Sequence, residues 1–399
     1  MSAIFPAPRV PHFWRVNGYG YPCFFGESQN AKEAWETLLT FYEYTDYDQL
    51  KSFWDSKDAP RRLSSQAVES WKAAFEEFGL LFVQSRSNVI SITPAGAQLR
   101  NAAERGGREE FAWIGLKLLL RYPLRGSRRS RSDSHRTADL LLYRFLYGAL
   151  LDLDGYVWRT ELERILCRVF RTEEGRDAID DVKTLRASPE LLGQVQLPAD
   201  KRAGVFYNSI NQVVVHAGMN QLLLGSETLQ SPYGVTEPRQ RNLIRQEWLG
   251  MVRRALSDNG DADQCGTGGY AIARLPKAPV FTDEIDYFDY LGAKVEPMSS
   301  SISAPLSSMS LQGEIVFFLD LNAQYVIESE TAIIGPISAL CQIARGQRLI
   351  LSHDERWTYK VVEKQLTEAD RVVVQVQRAR PISDMAIIRK LRGTDDAKP

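Results

Sequence analysis

The chain has 399 residues, 44% of them hydrophobic and 25% charged, with a formal net charge of −1. That length exceeds one hydrophobic core and points to two to four domains. The apolar content excludes wholesale disorder, and the balanced charge excludes a surface that attracts phosphate everywhere. The opening stretch MSAIFPAPRVPHFW lacks the basic start and apolar run of a secretory signal. No run approaches the roughly 20 apolar residues of a membrane helix, so no membrane partner is expected. Cys23, Cys167, Cys265 and Cys341 form no CxxC pair and have no histidine at metal-ligand spacing. Zinc is therefore not expected, and reduced thiols in a cytoplasmic setting are.

Residues 1–30 are rich in Pro, Gly and aromatics and show no periodicity. Residues 31–54 read as helical, with Trp35, Leu38, Leu39 and Tyr42 on one face. Ser64 or Ser65 caps a helix carrying Val68, Trp71, Phe75 and Phe78, and Gly79 stops it. Two short apolar runs, Leu80–Val83 and Val89–Ile92, flank the polar turn Gln84–Asn88. Thr93 as N-cap and Pro94 in the first turn start the next helix. Helix, strand, turn, strand, helix is the order of a winged helix-turn-helix, with the turn as wing tip.

Leu140–Leu151 is strongly apolar, Asp152–Gly155 turns the chain, and Thr160 with Glu163 makes the capping-box pattern for a helix to Phe170. Asn220–Leu224 and Tyr233–Val235 read as a second strand pair. Thr236 would then cap a helix through Leu256, with Pro238 in its first turn. The strand–Thr–Pro–helix joint thus occurs twice and suggests a second winged unit. Residues 257–269 are polar and Gly-rich, and Glu296–Ser310 is a Ser/Pro linker or long loop. Strands follow at Glu314–Leu319, Gln324–Ile327, Arg348–Leu351, Trp357–Glu363 and Val372–Gln377, with Val372, Val374 and Val376 alternating onto one face. The expected fold is α+β: mainly helical, tandem winged helix-turn-helix units, then a small β-rich, barrel-like C-terminal module. The expected divisions are 1–120, a basic loop at 121–136, 137–260, a connecting region at 261–310, and 311–399.

The most unusual stretch is Arg121–Arg136, RYPLRGSRRSRSDSHR, with six arginines, one histidine and one acid. Arginines spaced by Ser and Gly can follow a phosphate backbone; the plainer reading is a basic linker paired with acids elsewhere. The candidate DNA contacts are Arg121, Arg125, Arg128, Arg129, Arg131 and Arg136, with Arg86 at the wing tip, where Glu76 and Glu77 count against it. Asp46, Asp48 and Asp55-Ser-Lys57 resemble a nuclease grouping on paper but fall in a helical or loop context. Asp283, Glu284, Asp286 and Asp289 read as a solvated acidic loop. Gly266-Thr-Gly-Gly269 lacks the Lys-Ser/Thr of a phosphate loop. His12, His135, His216 and His353 are scattered, and Trp71, Trp113, Trp158 and Trp248 read as core. No catalytic, metal or cofactor site is expected.

Gly79-Leu-Leu-Phe82, Ile90-Ser-Ile-Thr-Pro-Ala-Gly96 and the helix leading to Lys117-Leu-Leu-Leu-Arg-Tyr-Pro123 give residues 31 to about 256 a resemblance to the N-terminal half of AlwI-type restriction endonucleases and related bacterial defence proteins. The resemblance implies tandem winged helices and a link to defence. The chain departs from that family in lacking a PD-(D/E)xK run, so cleavage is not carried over. The expected function is a non-catalytic, cytoplasmic component of an antiviral defence or restriction system that binds double-stranded DNA, with possible protein partners from the same system. The alternatives are a divergent magnesium-dependent endonuclease and a protein-binding adaptor.

Overall fold

The structure, a computed structural model, describes residues 13–26, 28–56, 59, 63–125, 133–195, 203–233, 239–257 and 275–298, and beyond these the strands between 307 and 381. The fold is α+β, and the chain divides into two compact units: Met1–Trp248 with Ala255–Glu296, and Leu249–Arg254 with Pro297–Pro399. Among the described residues no helix is long and apolar enough to cross a membrane.

The first unit begins with an aperiodic segment, residues 13–25, that is a strap of buried aromatics. Phe13 meets Phe206, Tyr19 meets Trp71, Tyr21 meets Phe78 and Phe25 meets Phe111, with ring centroids 4.4–5.3 Å apart. The Trp14 indole donates to Val169 O at 2.7 Å. The fully buried rings of Phe13, Trp14 and Tyr21 contribute about 2–3 kcal/mol each, which is how a segment without secondary structure holds its place.

Helix α1 (Gln29–Glu43) starts where Ser28 Oγ accepts the Ala31 amide, and it buries Trp35, Leu38, Phe41 and Tyr42. Asp46 caps α2 (Tyr47–Asp55), accepting from the Asp48 and Gln49 amides at 2.9 Å. Ser64 caps α3 (Ser65–Glu77). β1 (Leu81–Val83) and β2 (Ile90–Ile92) pair antiparallel, with Leu81 opposite Ile92. A bridge between Asp46 and Val89 lays the α1–α2 connection along β2, so the extended segments run 46, β2, β1 across the sheet. Thr93 caps α4 (Pro94–Glu104), its Oγ1 accepting the Gly96 amide at 2.9 Å. Gly96 is required there, because a Cβ would sit 2.0 Å from Leu80 O. α5 (Arg108–Leu120) is buried almost all round, and α6 (Asp133–Thr137) is one short turn.

A related order follows, with one helix more and a longer hairpin. α7 (Leu142–Asp152) leads into β3 (Tyr156–Trp158), α8 (Arg159–Arg164), α9 (Gly175–Ala187), α10 (Ala203–Ala217) and the hairpin β4 (Leu224–Leu229) and β5 (Arg239–Ile244). The sheet order is β3-β5-β4, antiparallel throughout. Three expectations are corrected here. The hairpin is not Asn220–Leu224 with Tyr233–Val235: Asn220 and Gln221 have φ of 52° and 75°, which no strand accommodates. The helix expected from Thr236 through Leu256 is interrupted: residues 239–244 are a strand. Arg239–Ile244 is a central strand hydrogen-bonded on both edges, and tertiary pairing overrides its local pattern; α11 (Leu249–Ser257) follows only after a 3₁₀ turn at Gln246–Trp248. α8 is not capped at Thr160. The Trp158 amide donates to Glu161 Oε2 at 2.8 Å, Thr160 is buried inside the helix, and the α-helix ends at Arg164.

Within the span expected to be a connector, α12 (Glu284–Gly292) is a helix packed on the first hairpin. Phe82 and Phe288 stack at 5.0 Å and 15°, alongside Phe281 and Tyr287.

The second unit holds a seven-stranded sheet: β6 (Ser307–Leu311), β7 (Glu314–Leu319), β8 (Val326–Ser329), β9 (Ala332–Pro336), β10 (Arg348–Leu351), β11 (Asp354–Leu366) and β12 (Arg371–Pro381). The order is β6-β7-β10-β11-β12-β9-β8, with β7 and β10 parallel and the other pairs antiparallel. β6 and β9 add to the predicted strands. Over the described part of β12 the alternation is present, with Val374 and Val376 buried and Gln375 and Gln377 exposed.

Candidate nucleic-acid interface

Of the predicted basic loop, Arg128, Arg129 and Arg131 lie outside the described residues. Arg121 follows α5 and is engaged within the fold: Nη1 donates to Ala293 O at 2.6 Å and Nη2 to Lys294 O at 3.3 Å. These bonds fasten the chain just after α12, so Arg121 is a structural residue here. Arg125 is half-buried and Arg136 exposed, the latter with interactions inside the fold. His135 is buried, accepting the Arg15 amide at Nε2 and meeting the Phe170 ring edge-on.

Arg86 is exposed on the turn between β1 and β2. That turn is braced on both sides. Asn88 donates to Asp48 Oδ2 at 2.8 Å, and Ser85 donates to Glu284 Oε2 at 2.9 Å. Glu76 and Glu77 point elsewhere: buried Glu76 accepts the Val83 amide at 3.0 Å, and Glu77 accepts from the Tyr122 hydroxyl at 3.1 Å. Helix α3, just before this hairpin, is partly covered by the strap, where Asn17 donates to Ser70 O and Tyr19 lies on Trp71.

The corresponding helix of the second repeat is more open. α10 buries Phe206, Ile210, Val213, His216 and Ala217, and exposes Val205 at 47% and Tyr207 at 40%, with Asn208 beside them. Buried Arg159 of α8 fixes it, donating to Tyr207 O at 3.1 Å and to the Asn211 side chain. Three further arginines gather nearby. Arg164 donates to Val195 O. Burial lowers the pKa of Arg164 and of Arg168, with repulsion from Arg239 adding to the first and from Arg164 to the second. Arg239 Nε is shielded from solvent and has no acceptor among the described residues. Glu163, paired with Arg159 at 2.5 Å, offsets part of this positive charge, and an anionic partner would relieve the rest. This surface was missed in the sequence; the spacing Phe206, Ile210, Val213, Ala217 was the signal for α10.

The remaining candidates are structural. Asp283 caps α12, accepting from the Ile285 and Asp286 amides, and Asp286 accepts from Thr282. Asp46 caps α2, and Asp48 pairs with Lys51 at 2.7 Å, which lowers its pKa. Among the described residues no three His, Cys, Asp or Glu side chains are grouped to hold a metal. Lys57 and residues 266–269 lie outside the described residues, as do His12, His353, Cys265 and Cys341. Burial pushes the Cys23 and Cys167 thiols up to about 12, so neither is a ready nucleophile. His216 is fully buried, and burial takes its pKa down to about 4. Its Nε2 must donate to Tyr19 O, so Nδ1 accepts the Tyr143 hydroxyl at 2.8 Å: a neutral, satisfied core histidine. No protein-family model matches the chain, and a search of characterised proteins returns no match.

Proposed function

We propose that the chain is a DNA-binding component of a prokaryotic antiviral defence or restriction system, acting in the cytoplasm on duplex DNA. The observation that carries this is the repeated order of helix, short extended segment, helices and hairpin, in which the second hairpin strand pairs back to the first extended segment: 46-β2-β1, then β3-β5-β4. We read this order, which carries one helix more in the second case, as a winged helix-turn-helix, in which the helix before the hairpin enters the major groove. In this reading α10, with Tyr207, Asn208 and the arginines beside it, faces the duplex, and Arg125, Arg128, Arg129, Arg131 and Arg136 follow the backbone. Arg121 leaves the contact set. The motifs shared with AlwI-type endonucleases support the link to defence. The sheet of the second unit carries bulges at Ile350/Leu351, Thr358/Tyr359 and Ile327/Ser329, devices that curl a sheet, and we read it as a barrel-like partner-binding module.

A second reading, an adaptor, is favoured for the first repeat alone, because α12 and the strap already occupy the faces a duplex would use. The test is a salt titration of duplex binding. Wild type should bind with a steep salt dependence, and the Arg125, Arg128, Arg129 and Arg131 to Ala variant should lose about one unit of slope per lost phosphate contact. Tyr207→Ala with Asn208→Ala should weaken sequence preference. Binding with no salt dependence, or none at all, returns the adaptor to first place; magnesium-dependent cutting of plasmid brings in the nuclease.

A further inference from the structure

A small cleft lies in the first unit between the start of α5 and the turn that precedes β4. It is a shallow depression open to solvent, lined by Phe25, Gly26, Arg108, Gln221 and Arg245, among others. Its floor is a strained turn: three successive non-glycine residues, Met219, Asn220 and Gln221, have φ of 44°, 52° and 75°. Such runs persist only where surrounding contacts over-determine them, and they concentrate at functional sites. Here the underside is locked. Asn220 donates its side-chain amide to Tyr21 O and its backbone amide to Val215 O at 3.0 Å. Met219 occupies the space left by Gly115, where a Cβ would come within 2.2 Å of its Cε. The Gln221 backbone amide has no acceptor among the described residues.

Two guanidinium groups complete the cleft. Arg245 Nε is shielded from solvent and has no acceptor among the described residues. An orphaned cationic donor of this kind is rare in folded proteins and calls for an acceptor. Arg108 is the first residue of α5, at the positive end of a 13-residue helix. Its guanidinium rests 5.1 Å from the Trp248 ring centroid and 3.6 Å from Glu247, a half-exposed and loosely paired carboxylate. Of the acids in the first turn of α5, Glu110 is already taken by Arg105 at 2.8 Å.

We propose that this cleft is an oxyanion site that takes a phosphate group, held by Arg245 and Arg108 with the Gln221 amide beneath. Planar guanidinium forks match phosphate geometry, and left-handed turns with free amides form anion-binding concavities. The phosphate can be a free ion or part of a nucleic-acid backbone, and the experiment separates the two. The full chain is melted in inorganic phosphate up to about 50 mM, against chloride at matched ionic strength, since a ligand that binds only the folded state raises the melting temperature. Wild type should gain melting temperature in phosphate beyond chloride, and Arg245→Gln should lose that gain. Arg108→Gln, at a half-exposed position, should lose it too and serves if Arg245→Gln does not fold. Competition of inorganic phosphate against duplex binding then assigns the source: displacement of duplex means a backbone phosphate, and binding without displacement means a free ion. No phosphate-specific gain in wild type, or an equal gain in both variants, overturns the site whatever the outcome for duplex binding.

Discussion

Two buried polar residues set measurable properties of the fold. His216 has a folded pKa of about 4 against an ordinary value of 6.5. The unfolded chain therefore binds a proton that the folded chain refuses, so stability falls as pH drops from 6.5 through 4, by up to about 3 kcal/mol from this group. Melting curves across that window should fall less steeply for His216→Gln than for wild type. Glu161 is fully buried, receiving Arg186 Nε at 2.8 Å and Nη2 at 3.0 Å, the Trp158 amide and the Tyr233 hydroxyl. Arg186 also donates to Leu153 O and Tyr156 O, so one ion pair ties β3, α8 and α9 together. Glu161→Gln should destabilise by about 3 kcal/mol in denaturant titrations, because it strands a buried guanidinium. Glu161→Leu with Arg186→Met should cost less than the single change, since the lone charge is then gone.

At the level of elements, the joint between the first hairpin and α4 was the most legible part of the chain. Ser64, Gly79, Thr93 and Pro94 act locally, through caps and a positive φ, and their chemistry is written in adjacent residues. Gly79 does more than end α3. At φ 68° it also lies under α12, where a Cβ would be 2.7 Å from the Leu291 backbone. Gly79→Ala should cost about 1–2 kcal/mol and Gly96→Ala about 3 kcal/mol through overpacking against Leu80 O, both read by chemical denaturation. The second hairpin was misread for the opposite reason. Arg239–Ile244 is a strand because β3, some 80 residues earlier, supplies its other edge, and no window around Thr236 contains that partner. α10, with its surface of Tyr207 and Asn208, went unread although its apolar spacing was present.

For the whole molecule, a net charge of −1 means that any attraction to phosphate is local. Duplex binding should accordingly be sensitive to the arginines beside α10: Arg164→Ala and Arg239→Ala should each weaken affinity about threefold or more at low salt, while Arg86→Ala, on a turn flanked by Asp48 and Glu284, should change it least. Gel shifts of the three variants at one salt concentration decide the order. Composition, helix caps and the period-two alternation of the C-terminal strands determined by themselves that the chain is α+β, that a short hairpin lies between two capped helices, and that strands follow residue 310, because these are interactions between near neighbours. Tertiary structure alone decided that the aromatic N-terminal segment is a strap, that α12 sits on the first hairpin, and which helix keeps an open face, because each depends on burial between residues far apart in the chain, such as Tyr19 with Trp71 and Phe82 with Phe288, which no local pattern encodes.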